Sequence, residues 1–231
     1  MASFPVHLAV AMTVSAISAT VLITTGLATP LMAIGYFSLG TIGGIAPDLD
    51  ADKSTPLRIG LWIIPILGAS ILLVSFASKR SIIELCAIWL GAFLILRYAM
   101  INLFPRLTIH RGVFHSLPAA VLFGCITAII TARWGNFSPL TAWIAGFFAA
   151  GGYITHLLLD EIYSVDLYGT KLKRSFGTAV KIFSWRNPLP FIILYTIIIG
   201  TWQFTPNIQP FVRTFTNNRL WQRVEQRLLP R

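Results

Sequence analysis

Four histidines and eight acidic side chains are the groups in this 231-residue chain that can hold a metal ion or move a proton, and they are unevenly spread. Asp48, Asp50, Asp52, Asp160, Glu161 and Asp166 fall in short polar stretches between long apolar runs, and only Glu84 and Glu225 lie elsewhere. Ionisable groups at the edge of an apolar helix are costly to desolvate unless they are paired, hydrated or bound to a cation, so the clustering calls for a reason. His156 and Asp160 are four residues apart. On a helix they project from one face and can reach a single ion, although the same spacing also serves a helix-end hydrogen bond. Glu161 points about a quarter turn away, as a hydrogen-bond partner of a ligand, a catalytic base or a solvated charge.

The stretch His110-Arg111-Gly112-Val113-Phe114-His115-Ser116 puts two imidazoles and a guanidinium on one short segment whose glycine permits a close turn. Neutral imidazole is a common ligand for zinc and related ions. Arg111 can hold an anionic oxygen such as a phosphate, or lie along the headgroups as a snorkelling side chain. Ser116, with Pro118 two residues on, reads as a helix cap rather than a nucleophile. Asp48 and Asp50 alternate after Pro47, and paired carboxylates there can bridge cations or orient a metal-activated water; a polar loop exit would carry aspartates as readily. His7 stands at the mouth of the first apolar run.

What must position these groups is a set of helices built for lipid. The chain is 55% hydrophobic and 11% charged, and its apolar residues come in runs of membrane-spanning length. The runs lie at about residues 8–27, 30–45, 59–77, 82–104, 117–132, 140–159 and 188–202. They predict an all-α, polytopic transmembrane bundle of about six to seven spans over residues 1–203, followed by a basic tail at 204–231. Trp185 and Trp202 suit interfacial anchors at the two ends of the last run. No basic n-region precedes the first run, which is expected to stay as a mature helix. Cys86 and Cys125 each sit alone inside an apolar run, so neither a disulfide framework nor a cysteine zinc site is expected.

Counting spans places the N-terminus, the acidic stretch, the 108–116 segment and the 160–187 segment on one face of the membrane. That holds only while the number of spans between motifs is even. The loops of that face carry nine lysines and arginines against three (Lys79, Arg80 and Arg133) in the opposite loops, which favours a cytoplasmic site. The tail, with Arg213, Arg219, Arg223, Arg227 and Arg231, works against this because seven spans would put it on the other side. The net charge of +10 points first to membrane lipids with anionic headgroups; no aromatic-basic motif supports nucleic acid.

Taken together, a histidine near the start, Pro-Asp-Leu-Asp after the second run, His-Arg-Gly-x-x-His-Ser and then His-x-x-x-Asp resemble the YdjM-like family of inner-membrane, metal-dependent hydrolases over roughly residues 5–185. The motif order is also similar to the ligand order of the zinc-dependent phospholipase C class. The resemblance implies a bacterial inner-membrane protein with His7, Asp48 or Asp50, His110, His115, His156 and Asp160 as ligands of a divalent ion. Zinc is the first expectation and manganese the second, with water activated by the ion attacking a phosphoester. Asp50, Arg111 and Glu161 are then the candidate catalytic groups, and Arg111, Lys173 and Arg174 the candidates for holding the phosphate. The stretch Glu161-Ile162-Tyr163-Ser164-Val165-Asp166 departs from the commoner small-polar continuation of the family.

The competing class is a non-enzymatic membrane protein: a transporter using the cluster as a cation or proton site, or a protein whose metal only ties helix ends together. Transport predicts polar groups at mid-membrane depth, and the runs are largely apolar there. Gly40, Gly43 and Gly44, with Gly146, Gly151 and Gly152, suit close helix packing, within one chain or between two. The sequence leaves oligomeric state open.

Overall fold

A computed structural model describes residues 3–50, 55–76, 80–102, 113–164, 180–185 and 187–228. The fold is all-α. Its helices are α1 (Phe4–Thr24), α2 (Pro30–Ile45, continued by a 3-10 turn Ala46–Asp50), α3 (Thr55–Phe76), α4 (Ile82–Asn102), α5 (Leu117–Arg133), α6 (Pro139–Ile162), α7 (Pro188–Trp202), α8 (Gln209–Phe215) and α9 (Asn218–Leu228). Among the described residues there is no strand, only an isolated bridge between Ser116 and Lys181.

Proline and a hydroxyl residue recur at the helix starts. Thr29, Ser116 and Ser138 each accept a backbone N–H of the first turn of α2, α5 and α6, and each is followed by proline at the first or second helical position. The cap satisfies one donor that the helix cannot, and proline removes another. Inside the helices, the hydroxyls of Thr13, Thr20, Ser38, Thr41, Thr127 and Thr131 donate to the carbonyl four residues back, which lets them sit in apolar surroundings.

By length and composition, α1, residues Pro30–Asp48, α4 and α6 can each cross a membrane. The apolar α5 and α7 have 17 and 15 residues. At the rise of an α-helix they reach about 26 and about 23 Å, short of the roughly 30 Å hydrocarbon core. Large apolar side chains face outward along them, Ile126, Ile130, Ile192 and Ile199 among others, as lipid contact requires.

The chain divides into two compact units: residues 1–47 with 115–231, and residues 48–114. In the first unit α6 is the central element, packed on α2, α5, α1 and α8. Small residues set the spacing. A Cβ at Gly152 would run into the Gly40 carbonyl, and one at Gly43 into the Ala149 carbonyl, so the α2 and α6 backbones lie in direct contact. Gly124 of α5 and Gly146 of α6 face each other in the same way. These glycines therefore pack helices within one chain, whereas Gly151 faces open space.

The second unit contains the α3–α4 hairpin, where Trp62 and Trp89 each stack on Phe93. Pro65 lies inside α3 and has no N–H to give the Leu61 carbonyl one turn earlier. Arg97 of α4 takes that place. Its Nη1 donates to the Leu61 carbonyl at 2.9 Å while the guanidinium lies 3.5 Å from the centre of the Trp62 ring. The Arg97→Leu variant is expected to lose about 1–3 kcal/mol in detergent unfolding followed by tryptophan fluorescence, because it orphans a carbonyl. In a Pro65→Ala background, where the backbone supplies its own donor, the loss should shrink. Glu84, outside the acidic clusters, accepts from the Ser81 N–H and hydroxyl at 2.9 Å each and so caps α4.

Candidate metal centre

The first unit brings the start of α1, the end of α2, the start of α5 and the end of α6 to one end. His7 is on the buried stripe of α1, followed at helical spacing by Ala11, Ser15, Ala19 and Leu22. His156 and Asp160 end the buried stripe of α6, which also holds Gly152, Tyr153 and Leu157. His115 immediately precedes Ser116, the cap of α5; the Leu117 N–H donates to the Lys181 carbonyl at 2.9 Å and pins this turn. His7, His115, His156 and Asp160 are all buried, with 4% or less of their surface exposed.

The Asp160 carboxylate is the hub. Its Oδ1 lies 3.2 Å from His7 Nε2, and its Oδ2 lies 3.8 Å from His115 Nε2 and 3.7 Å from His156 Nε2. The His7 and His156 rings stack at 3.7 Å, and His115 meets His156 edge-on at 5.8 Å. His156 Nδ1 is 2.8 Å from the Gly44 carbonyl of α2. A carbonyl only accepts, so Nδ1 carries a proton, and Nε2 is the ring nitrogen on the side of the carboxylate.

Two negative or lone-pair-bearing atoms do not face each other in a buried site without a proton or cation between them. Donor atoms of His7, His156 and Asp160 fall within 4.8 Å of one another. Ligands about 2.1 Å from a tetrahedral ion stand about 3.4 Å apart, and the three carboxylate–imidazole separations of 3.2–3.8 Å bracket that value. Asp160 Oδ2 and His7 Nδ1 are buried and take part in no hydrogen bond among the described residues. The donor set is therefore one that could hold a metal ion.

Of the residues singled out from sequence, the fold thus gathers His7, His115, His156 and Asp160 at one place. Asp48 is half-buried in the turn after α2 and is the first residue of the second unit. Asp50 ends that turn, and its side chain lies outside the described residues, as do His110, Arg111, Lys173 and Arg174. Glu161 is half-buried beside Asp160. Ser116 is a cap: its Oγ accepts the Ala119 N–H at 3.4 Å. Cys86 and Cys125 are free thiols. Sequence reasoning placed Gly44 in helix packing only, because its contribution to the site is a backbone carbonyl, which no residue type advertises; Arg97 escaped because it sits alone in an apolar run.

An all-α bundle with membrane-length apolar helices and a buried histidine–carboxylate cluster at one end is the architecture of an integral membrane protein with a possible metal centre. The chain belongs to the YdjM inner membrane protein family, which it matches over residues 1–215. No curated protein and no solved structure matches it.

Proposed function

We propose that this protein is a membrane-bound, metal-dependent hydrolase acting on a phosphoester of a lipid or lipid-linked substrate. The observation that carries the reading is His156, whose ring the Gly44 carbonyl orients so that Nε2 faces the buried Asp160 carboxylate. His7, His156 and Asp160, joined by His115 from the turn before α5, would hold the divalent ion, zinc before manganese. A bound ion of this kind lowers the pKa of water toward neutrality and polarises a phosphoryl oxygen. The chain itself excludes bulk water from the cluster and fixes the imidazoles around the Asp160 carboxylate. Glu161, one position beyond Asp160, is the proton acceptor in this scheme. Arg111, Lys173 and Arg174 are assigned to the phosphate on charge alone.

The location of the cluster favours hydrolysis over transport. It occupies the first turns of α1 and the last turns of α6, and the hydroxyls deeper in the helices are committed to their own backbones. We place the site on the cytoplasmic face from the loop charges. The tail arginines at the opposite end count against that placement.

The test is turnover. Full-length protein in lipid nanodiscs, loaded with zinc or manganese, is offered a phosphodiester chromogen and phospholipids. Metal-dependent release of phosphate or headgroup, reduced about a hundredfold or more by Asp160→Asn, is the expected result. A folded, metal-loaded protein that turns over none of them would make the ion a structural tie between helix ends.

A further inference from the structure

The end of the first unit away from the histidines is built differently, and nothing in the hydrolase reading uses it. There α1 ends, α2 begins, and the C-terminal segment folds back over both. Phe211 and Phe215 of α8 pack on the apolar cluster of Ala19, Leu22, Ala33, Tyr36 and Ile144, and Phe211 stacks on Phe147 at 4.4 Å. Trp221 Nε1 donates to the Phe215 carbonyl at 2.8 Å, which ties α9 to α8. Arg223 Nη1 donates to the carbonyl of Thr25, the C-cap of α1, at 3.0 Å. Helix α9 is therefore pinned where a membrane-length helix ends.

Helix α9 is strongly amphipathic. Leu220 is buried and Val224, one turn on, half-buried, while Arg219, Trp221, Gln222, Arg223, Glu225 and Gln226 are exposed. Around it the same end exposes Trp134, Phe137, Trp202 and Phe204, each with between 48% and 67% of its surface free. Arg133 lies over the Phe204 ring at 5.7 Å, and Arg213 is exposed on α8. An apolar groove of about 210 Å³ along Ile126, Ile129 and Ile130 ends at Arg133 and Trp134.

We infer that α8 and α9 form an interfacial arm that lies on the bilayer surface and binds anionic phospholipid headgroups, at the end opposite the metal centre. Exposed tryptophan and phenylalanine beside arginine are costly in water and well placed at the headgroup level, where rings are half-solvated and phosphates accept from guanidinium groups. Lipid is the occupant the geometry favours, because a helix tied to the end of α1 is held against headgroups whatever else is present. The groove below Arg133 and Trp134 adds an apolar slot for an acyl chain under a cationic rim. A nucleic acid would find the same arginines but would have to displace the lipid surface from the exposed rings.

The arm is tested by hydrogen exchange of the full-length protein in nanodiscs of phosphatidylcholine alone or with phosphatidylglycerol. Each cation near an anionic surface is worth roughly fivefold in binding, so Arg213 and Arg219 together predict roughly 25-fold slower exchange over residues 218–228 in the anionic discs. The Arg213→Gln, Arg219→Gln variant, which keeps the Arg223 contact to α1, should lose most of that difference. Its exchange around His156 should be unchanged, which shows that the fold is intact. Equal exchange in the two lipids, or a difference that survives the double substitution, overturns the inference. So does protection by a single-stranded oligonucleotide in neutral discs where phosphatidylglycerol gives none, which would assign the arginines to nucleic acid.

Discussion

Replacing Asp160 with asparagine is expected to strip the ion from the purified protein. The variant keeps the shape of the side chain and removes its charge, so the three imidazoles within 3.8 Å lose the anion that balances a divalent cation. Wild-type protein, dialysed against zinc or manganese and then against buffer, should retain stoichiometric metal by elemental analysis. Asp160→Asn should bind about a hundredfold more weakly or not at all. Ser116→Ala is the control from the same end. Loss of the cap should cost about 1 kcal/mol of stability while leaving the metal content and any turnover in place. An asparagine variant with the full complement of metal, or a wild type that retains neither ion, would remove the metal centre and the hydrolase reading with it.

The second large effect concerns a residue that touches no ligand. Gly152→Ala puts a methyl group against the Gly40 carbonyl and within 2.9 Å of the Gly44 nitrogen, and neither is a side chain that can swing aside. The α2 and α6 backbones must separate, at a cost of about 3 kcal/mol, and the unfolding midpoint in detergent should fall accordingly. Because Gly44 also supplies the carbonyl that orients His156, metal affinity should fall in the same variant although every donor is present. Gly151→Ala, one residue earlier and facing open space, should be neutral or slightly stabilising through helix propensity. If both substitutions behaved alike, the close α2–α6 contact would not be what holds the site.

Read from the sequence, the positions of the helices were the legible part of the topology, and the span count, with the sidedness that depends on it, was not. Residues 30–45 and 117–132 were expected as helices and are helices, because a hydroxyl cap, an early proline and an unbroken apolar run are all local signals. Whether α5 and α7 count as full spans depends on a few residues of length, which hydropathy alone cannot decide. The pairing of the two ends needed only parity. With α1 and α2 between His7 and Gly44, and α5 and α6 between His115 and Asp160, these motifs return to the same end of the first unit.

By itself, then, the sequence determined the helical class, the membrane character, and the set of side chains from which a site could be drawn. Hydropathy and the 3.6-residue period are properties of neighbours in the chain, and His156 and Asp160 are neighbours one turn apart. The tertiary structure alone decided which of the candidates meet. His7 reaches Asp160 across 153 residues, and His156 reaches the Gly44 carbonyl across 112. The second contact rests on glycines of α2 and α6 that let two backbones touch, and the fold of the tail over the far end of α1 likewise originates in packing rather than in periodicity. Contact between distant elements is set by shape and volume at a helix crossing, and those quantities emerge only once the helices are side by side.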